Sequence, residues 1–142
     1  MEVTSLQNGI IIDHVPAGTA LKVLEYLKVD PSRTKIALIM NADSKRYGTK
    51  DIIKIEGMAD DRIDLDVLGL VARNATVGIV RDGSIVKKLT PTLPQHVSGV
   101  IRCPNPRCVT STERDVRQGF HLVTLNGHQE YRCDYCDEEA KF

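Results

Sequence analysis

The sequence predicts an α+β chain in two parts: an antiparallel sheet with helices on one face, then a small all-β unit built around cysteines. Three observations lead there. Apolar runs of strand character alternate with two stretches of three-to-four period, in the order β-α-β-β-α-β-β. A stretch without periodicity, Thr90-Pro-Thr-Leu-Pro94, follows the last of them. All four cysteines lie beyond that stretch, as two short hooks.

Taken in order, residues 9–15 (Gly-Ile-Ile-Ile-Asp-His-Val) read as a buried strand of β-branched residues with the polar pair Asp13-His14 at its end. Pro16 opens a helix on which Ala20, Val23, Leu24 and Leu27 form an apolar stripe, and Asp30-Pro31-Ser32 stops it. Residues 36–40 are apolar at consecutive positions, the pattern of a strand inside a sheet rather than at its edge. Residues 41–48 read as a polar turn and 50–56 as the next strand. Asp60-Asp61 signals the start of a second helix, carried by Leu65, Leu68 and Ala72, with Asn74 suited to its end. Asp82-Gly83 lies between two strand-like runs, 76–80 and 84–89, as a hairpin turn. Two helices separated in this way describe a ferredoxin-like α+β layer with both helices on one face of the sheet. The boundary near the prolines divides the chain into residues 1–95 and 96–142. In the second part, strands are expected near Val100-Ile101 and over 120–125 and 128–132, with a tight turn at Asn126-Gly127, as in a zinc ribbon.

Composition narrows the function classes. Lys plus Arg and Asp plus Glu both count nineteen, so no global charge favours nucleic acid or a membrane surface. Tryptophan is absent and phenylalanine occurs twice, which leaves few platforms for stacking bases. No apolar run approaches membrane-spanning length, and the polar start after Met1 lacks the pattern of an export signal. A soluble protein of a reducing cytoplasm is the expectation.

The hooks are Cys103-Pro-Asn-Pro-Arg-Cys108 and Cys133-Asp-Tyr-Cys136, with no cysteine left over. Each lets two thiolates point at one centre, and together they supply the four tetrahedral sulfur ligands of one structural Zn²⁺. A full thiolate set leaves no open position for water, so such a metal holds a fold rather than catalysing. The alternatives are disulfides, suited to a secreted protein, and a dithiol redox pair at Cys133/Cys136, whose strand-like flank lacks the usual helix. No nucleophile–base constellation or glycine-rich phosphate loop is present in the sequence.

In the strand over 50–56, the two-residue period places Lys50, Ile52, Lys54 and Glu56 on one face and Asp51, Ile53 and Ile55 on the other. Two ammonium groups thus flank an isoleucine on the face the helices leave open. Alternation adds one of the pair Lys87-Lys88. Such lysines suit an anion, with Ile52 and Val80 or Val86 as apolar cover, and they equally suit a solvated sheet that resists aggregation. By residue type alone, the second reading is the simpler. Asp13-His14 before a helix start reads either as a pair with a satisfied or surface histidine or as an orienting pair for a ligand.

Five motifs carry a resemblance over nearly the whole chain: Ile12-Asp13-His14-Val15-Pro16, Lys50-Asp51-Ile52-Ile53-Lys54-Ile55-Glu56, Ala75-Thr76-Val77, Pro91-Thr92-Leu93-Pro94, and Cys103-Pro104-Asn105 through Cys108 with Cys133 and Cys136. In order and spacing they resemble the regulatory chains of aspartate carbamoyltransferase, the allosteric enzyme of early pyrimidine biosynthesis. The resemblance implies a non-catalytic chain whose first domain binds nucleotide effectors, CTP inhibiting and ATP activating. Its zinc domain would dock on catalytic trimers, and two such chains would pair through their first domains. It favours the anion-binding reading of the lysines. Lys54 and Lys88 would contact phosphate and ribose, Lys50 would lie near the base, Asp13 would contact ribose, and His14 would lie beside the triphosphate. Cys103, Cys108, Cys133 and Cys136 would hold the zinc. Gly78 and Gly83 stand where well-known members carry Asn and Tyr, which bears on base selectivity. The chain starts close before its first strand, so contacts of an N-terminal arm across a regulatory dimer are expected to be weakened. The competing classes are a zinc-ribbon nucleic-acid binder and a thiol redox enzyme.

Overall fold

The computed structural model describes residues 5–46, 48–58 and 63–141. The chain divides into two compact units, Met1–Leu93 and Pro94–Phe142. The first runs β1 (Gly9–Pro16), α1 (Ala20–Tyr26), β2 (Ile36–Ser44), β3 (Gly48–Glu56), α2 (Leu65–Val71), β4 (Thr76–Arg81) and β5 (Ser84–Leu89). Its strands form one antiparallel sheet in the order β2-β3-β1-β4-β5, which is the ferredoxin-like arrangement with β5 added beside β4.

One face of this sheet makes the core. Ile10, Ile12, Ile53, Ile55, Val77 and Ile79 are buried against Ala20, Val23 and Leu24 of α1 and Leu68 of α2. Alternation in β3 follows the expected period: Asp51, Ile53 and Ile55 are buried, while Lys50, Ile52 and Lys54 are half-buried on the opposite face. The turns follow as well. Asp82 and Gly83 both take positive φ, 51° and 80°, which is the geometry that matches a two-residue hairpin to the twist of its strands.

Several elements differ from the sequence reading. β2 is an edge strand, not an interior one. Its consecutive apolar residues divide between the two faces, so both faces ask for cover even though one edge has no partner strand in the sheet. The polar turn is shorter than expected, because β2 and β3 extend to the pair Ser44 and Gly48. The helix α2 is capped by Asp64, whose carboxylate accepts N–H bonds from Asp66 and Val67, both at 3.1 Å. Asp60 and Asp61, expected to start that helix, lie outside the described residues. Pro16 ends β1, and the helix begins at Ala20.

The buried carboxylate of Asp51 accounts for the local geometry around it. Ile39 pairs with Ile52 and Ala42 with Lys50, so Met40 and Asn41 together oppose Asp51 in a bulge. Asn41 takes φ 60°, and its freed N–H donates to Asp51 Oδ1 at 2.8 Å. Asp51 Oδ2 accepts the Ala20 N–H at 2.9 Å, at the start of α1, where Thr19 offers no side-chain cap. Burial pushes this carboxyl up, but the N–H donors of Asn41, Gly18, Ala20 and Thr19 outweigh it and hold it below the usual carboxylate range.

The prolines after β5 do not run free. Thr92 N–H donates to the Leu65 carbonyl at 3.1 Å, and Thr92 Oγ1 bonds the Asp66 carboxylate. The Thr92 carbonyl passes so close to Gly69 that a β-carbon there would overlap it. The second unit holds β6 (His96–Ser98), α3 (Val109–Thr112), β7 (Gly119–Leu125) and β8 (His128–Cys133), with the strands in the order β6-β7-β8. The strand expected at Val100-Ile101 is displaced to β6. Gly99 at φ 70° turns the chain after it, and Ile101 becomes a core residue with Val97, Phe120 and Tyr131. No helix among the described residues is long and apolar enough to cross a membrane.

Two outcomes test this packing. Glycine inside a helix ordinarily costs about 1 kcal/mol relative to alanine, so Gly69→Ala would stabilise an isolated helix. Here overlap with Thr92 reverses the sign, and chemical denaturation should show a loss of about 1–3 kcal/mol. Asp51→Asn should cost about 1.5–3 kcal/mol at neutral pH, as expected for hydrogen bonds to a charged group. The parent's share of stability from Asp51 is complete above the ordinary carboxylate range and is lost as pH falls through the depressed folded value. Acid unfolding curves of the variant should therefore be shallower on that limb.

Candidate metal centre and anion-binding face

The two hooks converge. Cys103, Cys108, Cys133 and Cys136 are all free thiols, and their sulfurs lie within 4.8 Å of one another. Cys103 Sγ is 3.5 Å from Cys136 Sγ, and Cys108 Sγ is 3.7 Å from Cys133 Sγ. Four sulfurs held tetrahedrally about Zn²⁺ at about 2.3 Å stand about 3.8 Å apart, so the set fits one structural zinc. The first hook is shaped by its own polar groups: Asn105 Oδ1 accepts the Arg107 N–H at 3.0 Å, and Ser111 Oγ donates to the Asn105 carbonyl at 2.8 Å. The short helix α3, which has no sequence signature, begins directly after Cys108.

The thiols are not equivalent. Thr110, itself buried, donates from Oγ1 to Cys108 Sγ at 3.1 Å and, ahead of the opposing effect of burial, brings that thiol down to about 7. Burial pushes Cys103 up to about 12 and raises Cys133 as well. A cation must therefore displace protons held by burial, so its affinity falls as the solution becomes more acidic. Beside the hooks, Asp134 bridges two histidines, with His96 Nε2 at 2.5 Å and His121 Nδ1 at 2.8 Å. Burial raises this carboxyl, but the two imidazoles outweigh it and hold it low. The sequence reading missed this cluster, since its members are separated by as many as 38 positions.

On the first unit, the open face is ordered by the pairing register. Lys54 lies opposite Ile11, Ile11 opposite Gly78, and Gly78 opposite Lys88. Direct cross-strand partners point to the same side, so Lys54 and Lys88 bracket a floor of Ile11 and Gly78. Lys87 lies opposite Ile79 and belongs to the other face. The two lysines are three strand spacings apart, about 14 Å between backbones. Neither ammonium meets a carboxylate among the described residues. A recess of 350 Å³ beside Lys54 is lined also by Ser5, Leu6, Gln7 and Ala37.

Lys50 differs. It is paired with Asp13, its Nζ lying 3.0 Å from Oδ1 and 3.2 Å from Oδ2. Burial raises the Asp13 carboxyl, but Lys50 and the His14 N–H, which donates to Oδ1 at 2.6 Å, outweigh it and hold it low. Asp13 and His14 together oppose Ile52 in a bulge of β1, and His14 takes φ 58°. Its Nδ1 is 3.1 Å from Thr76 Oγ1. Of the five predicted residues, Lys54 and Lys88 share one cross-strand row spanning four strands, and Asp13 is joined to both Lys50 and His14.

The chain matches the regulatory chain of aspartate carbamoyltransferase twice, its allosteric domain over residues 1–92 and its metal binding domain over residues 95–142. This chain belongs to that family. A regulatory chain of Bifidobacterium longum is 72% identical over 141 residues, covering 99% of both chains. One from Clostridium acetobutylicum is 46% identical, covering 99% of this chain and 94% of its own. One from Caldivirga maquilingensis is 44% identical over 94% of this chain and 82% of its own. Membership agrees with a non-catalytic regulatory chain and with a metal role for the cysteines.

Thr110→Val keeps the size of the side chain and removes the donor to Cys108. Loss of a group that supports a ligand typically weakens metal affinity by about 10–100-fold, and competition with a colorimetric chelator should show a loss in that range. Unchanged zinc affinity would mean that Thr110 serves packing alone.

Proposed function

We propose that this chain is the regulatory subunit of a cytoplasmic aspartate carbamoyltransferase, sensing nucleoside triphosphates on the open face of its first domain. CTP would act there as an inhibitor and ATP as a competing activator. The supporting observation is the row in which two lysines without carboxylate partners among the described residues bracket an apolar floor. Compact ammonium groups suit phosphate oxygens, and Ile11 with the Ile85 side chain beside Gly78 gives apolar cover to a flat group. Lys54 and Lys88 are assigned to phosphate and ribose. Asp13 is assigned to ribose, His14 to the side of the triphosphate and Lys50 to the base, with the ion pair to Asp13 holding it in place.

The zinc domain is assigned to docking on catalytic trimers, the division proposed being residues 1–95 for effector binding and 96–142 for docking. Two regulatory chains would pair through their first domains. The edge position of β2 supports this, because Met40 is 40% exposed there and an apolar groove lined by Leu21, Leu24, Ile36 and Leu38 runs alongside. Effector binding can reach a distant active site only if the nucleotide prefers one quaternary state. A rigid-body change passed on through the zinc domain is the mechanism proposed.

Lys54→Ala tests the effector site. In a holoenzyme reconstituted with catalytic chains, calorimetry should show at least tenfold weaker CTP and ATP binding, with both responses lost and assembly intact. Full inhibition by CTP in that variant would remove the assignment. Stripping the zinc should instead release the catalytic trimer, seen as a change in sedimentation.

A further inference from the structure

Away from the cysteines, the second unit carries another set of metal-ligating side chains. His128 and Glu130 lie on the same face of β8, two residues apart. The segment after the second hook returns alongside that strand: Ala140 N–H donates to the Tyr131 carbonyl at 2.8 Å, and Glu139 bridges to Arg132. This return brings Glu139 onto the face of His128 and Glu130. One donor atom of each residue then lies within 4.8 Å of the other two.

The set differs from an ordinary exposed acidic group in two ways. It includes an imidazole, which the carboxylates do not need for solvation. Its central member, Glu130, is only 10% exposed, and Oε1 alone meets a cation, Arg132 Nη2 at 2.9 Å. Arg132 is also committed elsewhere, with Nη1 donating to the Asp137 carbonyl at 3.0 Å. One guanidinium therefore serves the carboxylates of Glu130, Asp137 and Glu139, and the imidazole of His128 lies beside two of them.

We propose that His128, Glu130 and Glu139 form a second divalent-metal site, which fastens the C-terminal segment to β8. A nitrogen with two carboxylate oxygens favours a first-row ion such as Zn²⁺ over Mg²⁺ or Ca²⁺, which prefer all-oxygen shells. The bound ion closes a clamp around the loop that contains Cys133 and Cys136, since one ligand pair precedes that hook and the third ligand follows it.

The test uses the full chain already loaded with one zinc. Titration with Zn²⁺, followed by calorimetry and a metal count, should give a second ion per chain that EDTA removes before the first. A second equivalent of Co²⁺ should add no thiolate charge-transfer band. His128→Ala and Glu139→Gln, both at exposed positions, should weaken uptake of the second ion at least tenfold and leave the first in place. Saturation at one ion per chain overturns the proposal. So does a second cobalt with a thiolate band, or unchanged second-ion affinity in both variants.

Discussion

The first domain depends on how one buried carboxylate is satisfied. Among the described residues Asp51 makes no ion pair; its two oxygens accept main-chain N–H groups from β2 and from the start of α1. An ionised group at 0% exposure would otherwise be very costly, so those donors must be held where they are. That requirement ties the bulge at Asn41 and the first turn of α1 to the strand that carries Lys50 and Lys54. The alternation of β3 then does two jobs at once. The residues that face the helices anchor the strand, and the residues between them are presented, half-buried, on the open face.

The second unit solves a different problem. It has 49 residues and a core of few large side chains, chiefly Phe120, Ile101, Tyr131 and Val97. A unit of this size buries too small a fraction of its surface to be stable without help. The four thiols gather the two hooks at one point, and the hydrogen bonds of Thr110 and Asn105 shape the first hook. Burial raises the thiols of Cys103 and Cys133, so a cation that binds here must displace their protons. Binding free energy is then folding free energy, which is the usual bargain in small metal-stapled domains.

Much of this was legible in the sequence, and the exceptions have physical causes. The faces of β3, the two hairpin turns and the pairing of the hooks follow from local period and turn chemistry, which a linear sequence displays directly. Alternation leaves Lys87 and Lys88 undecided, because the answer depends on a register shift between Ile79 and Val80 that residue type does not announce. The role of Asp51 was hidden for the same reason: its partners are backbone groups 10 and 31 positions away. The run over 36–40 suggests an interior strand because it is apolar on both faces. That pattern reports how much apolar surface a strand offers, and not whether a neighbour within the same chain covers it. The cap at Asp64 and the strand at His96–Ser98 moved by a few residues for a simpler reason. Several acidic or β-branched residues compete locally, and packing chooses among them.

The contrast among the lysines carries the functional argument furthest. A face built only to stay solvated would not call for pairing one lysine with a carboxylate while, among the described residues, the two others meet none. Lys50 is spent on Asp13, in a pair made rigid by the β1 bulge and by the His14 N–H. Lys54 and Lys88 meet no carboxylate among the described residues, and the Ile85 side chain packs beside Gly78 between them, 3.5 Å from where a β-carbon would stand. An apolar floor of Ile11, Gly78 and Ile85 with a cation at each end imposes a length and a charge on whatever binds, whereas it offers few side-chain donors for reading a base. On that reading, phosphate recognition rests with the lysines and base recognition falls to the Asp13–Lys50 corner and the sheet backbone. The two sets occupy different places: Lys54 and Lys88 lie in one cross-strand row, and Asp13 and Lys50 form an ion pair beside the β1 bulge.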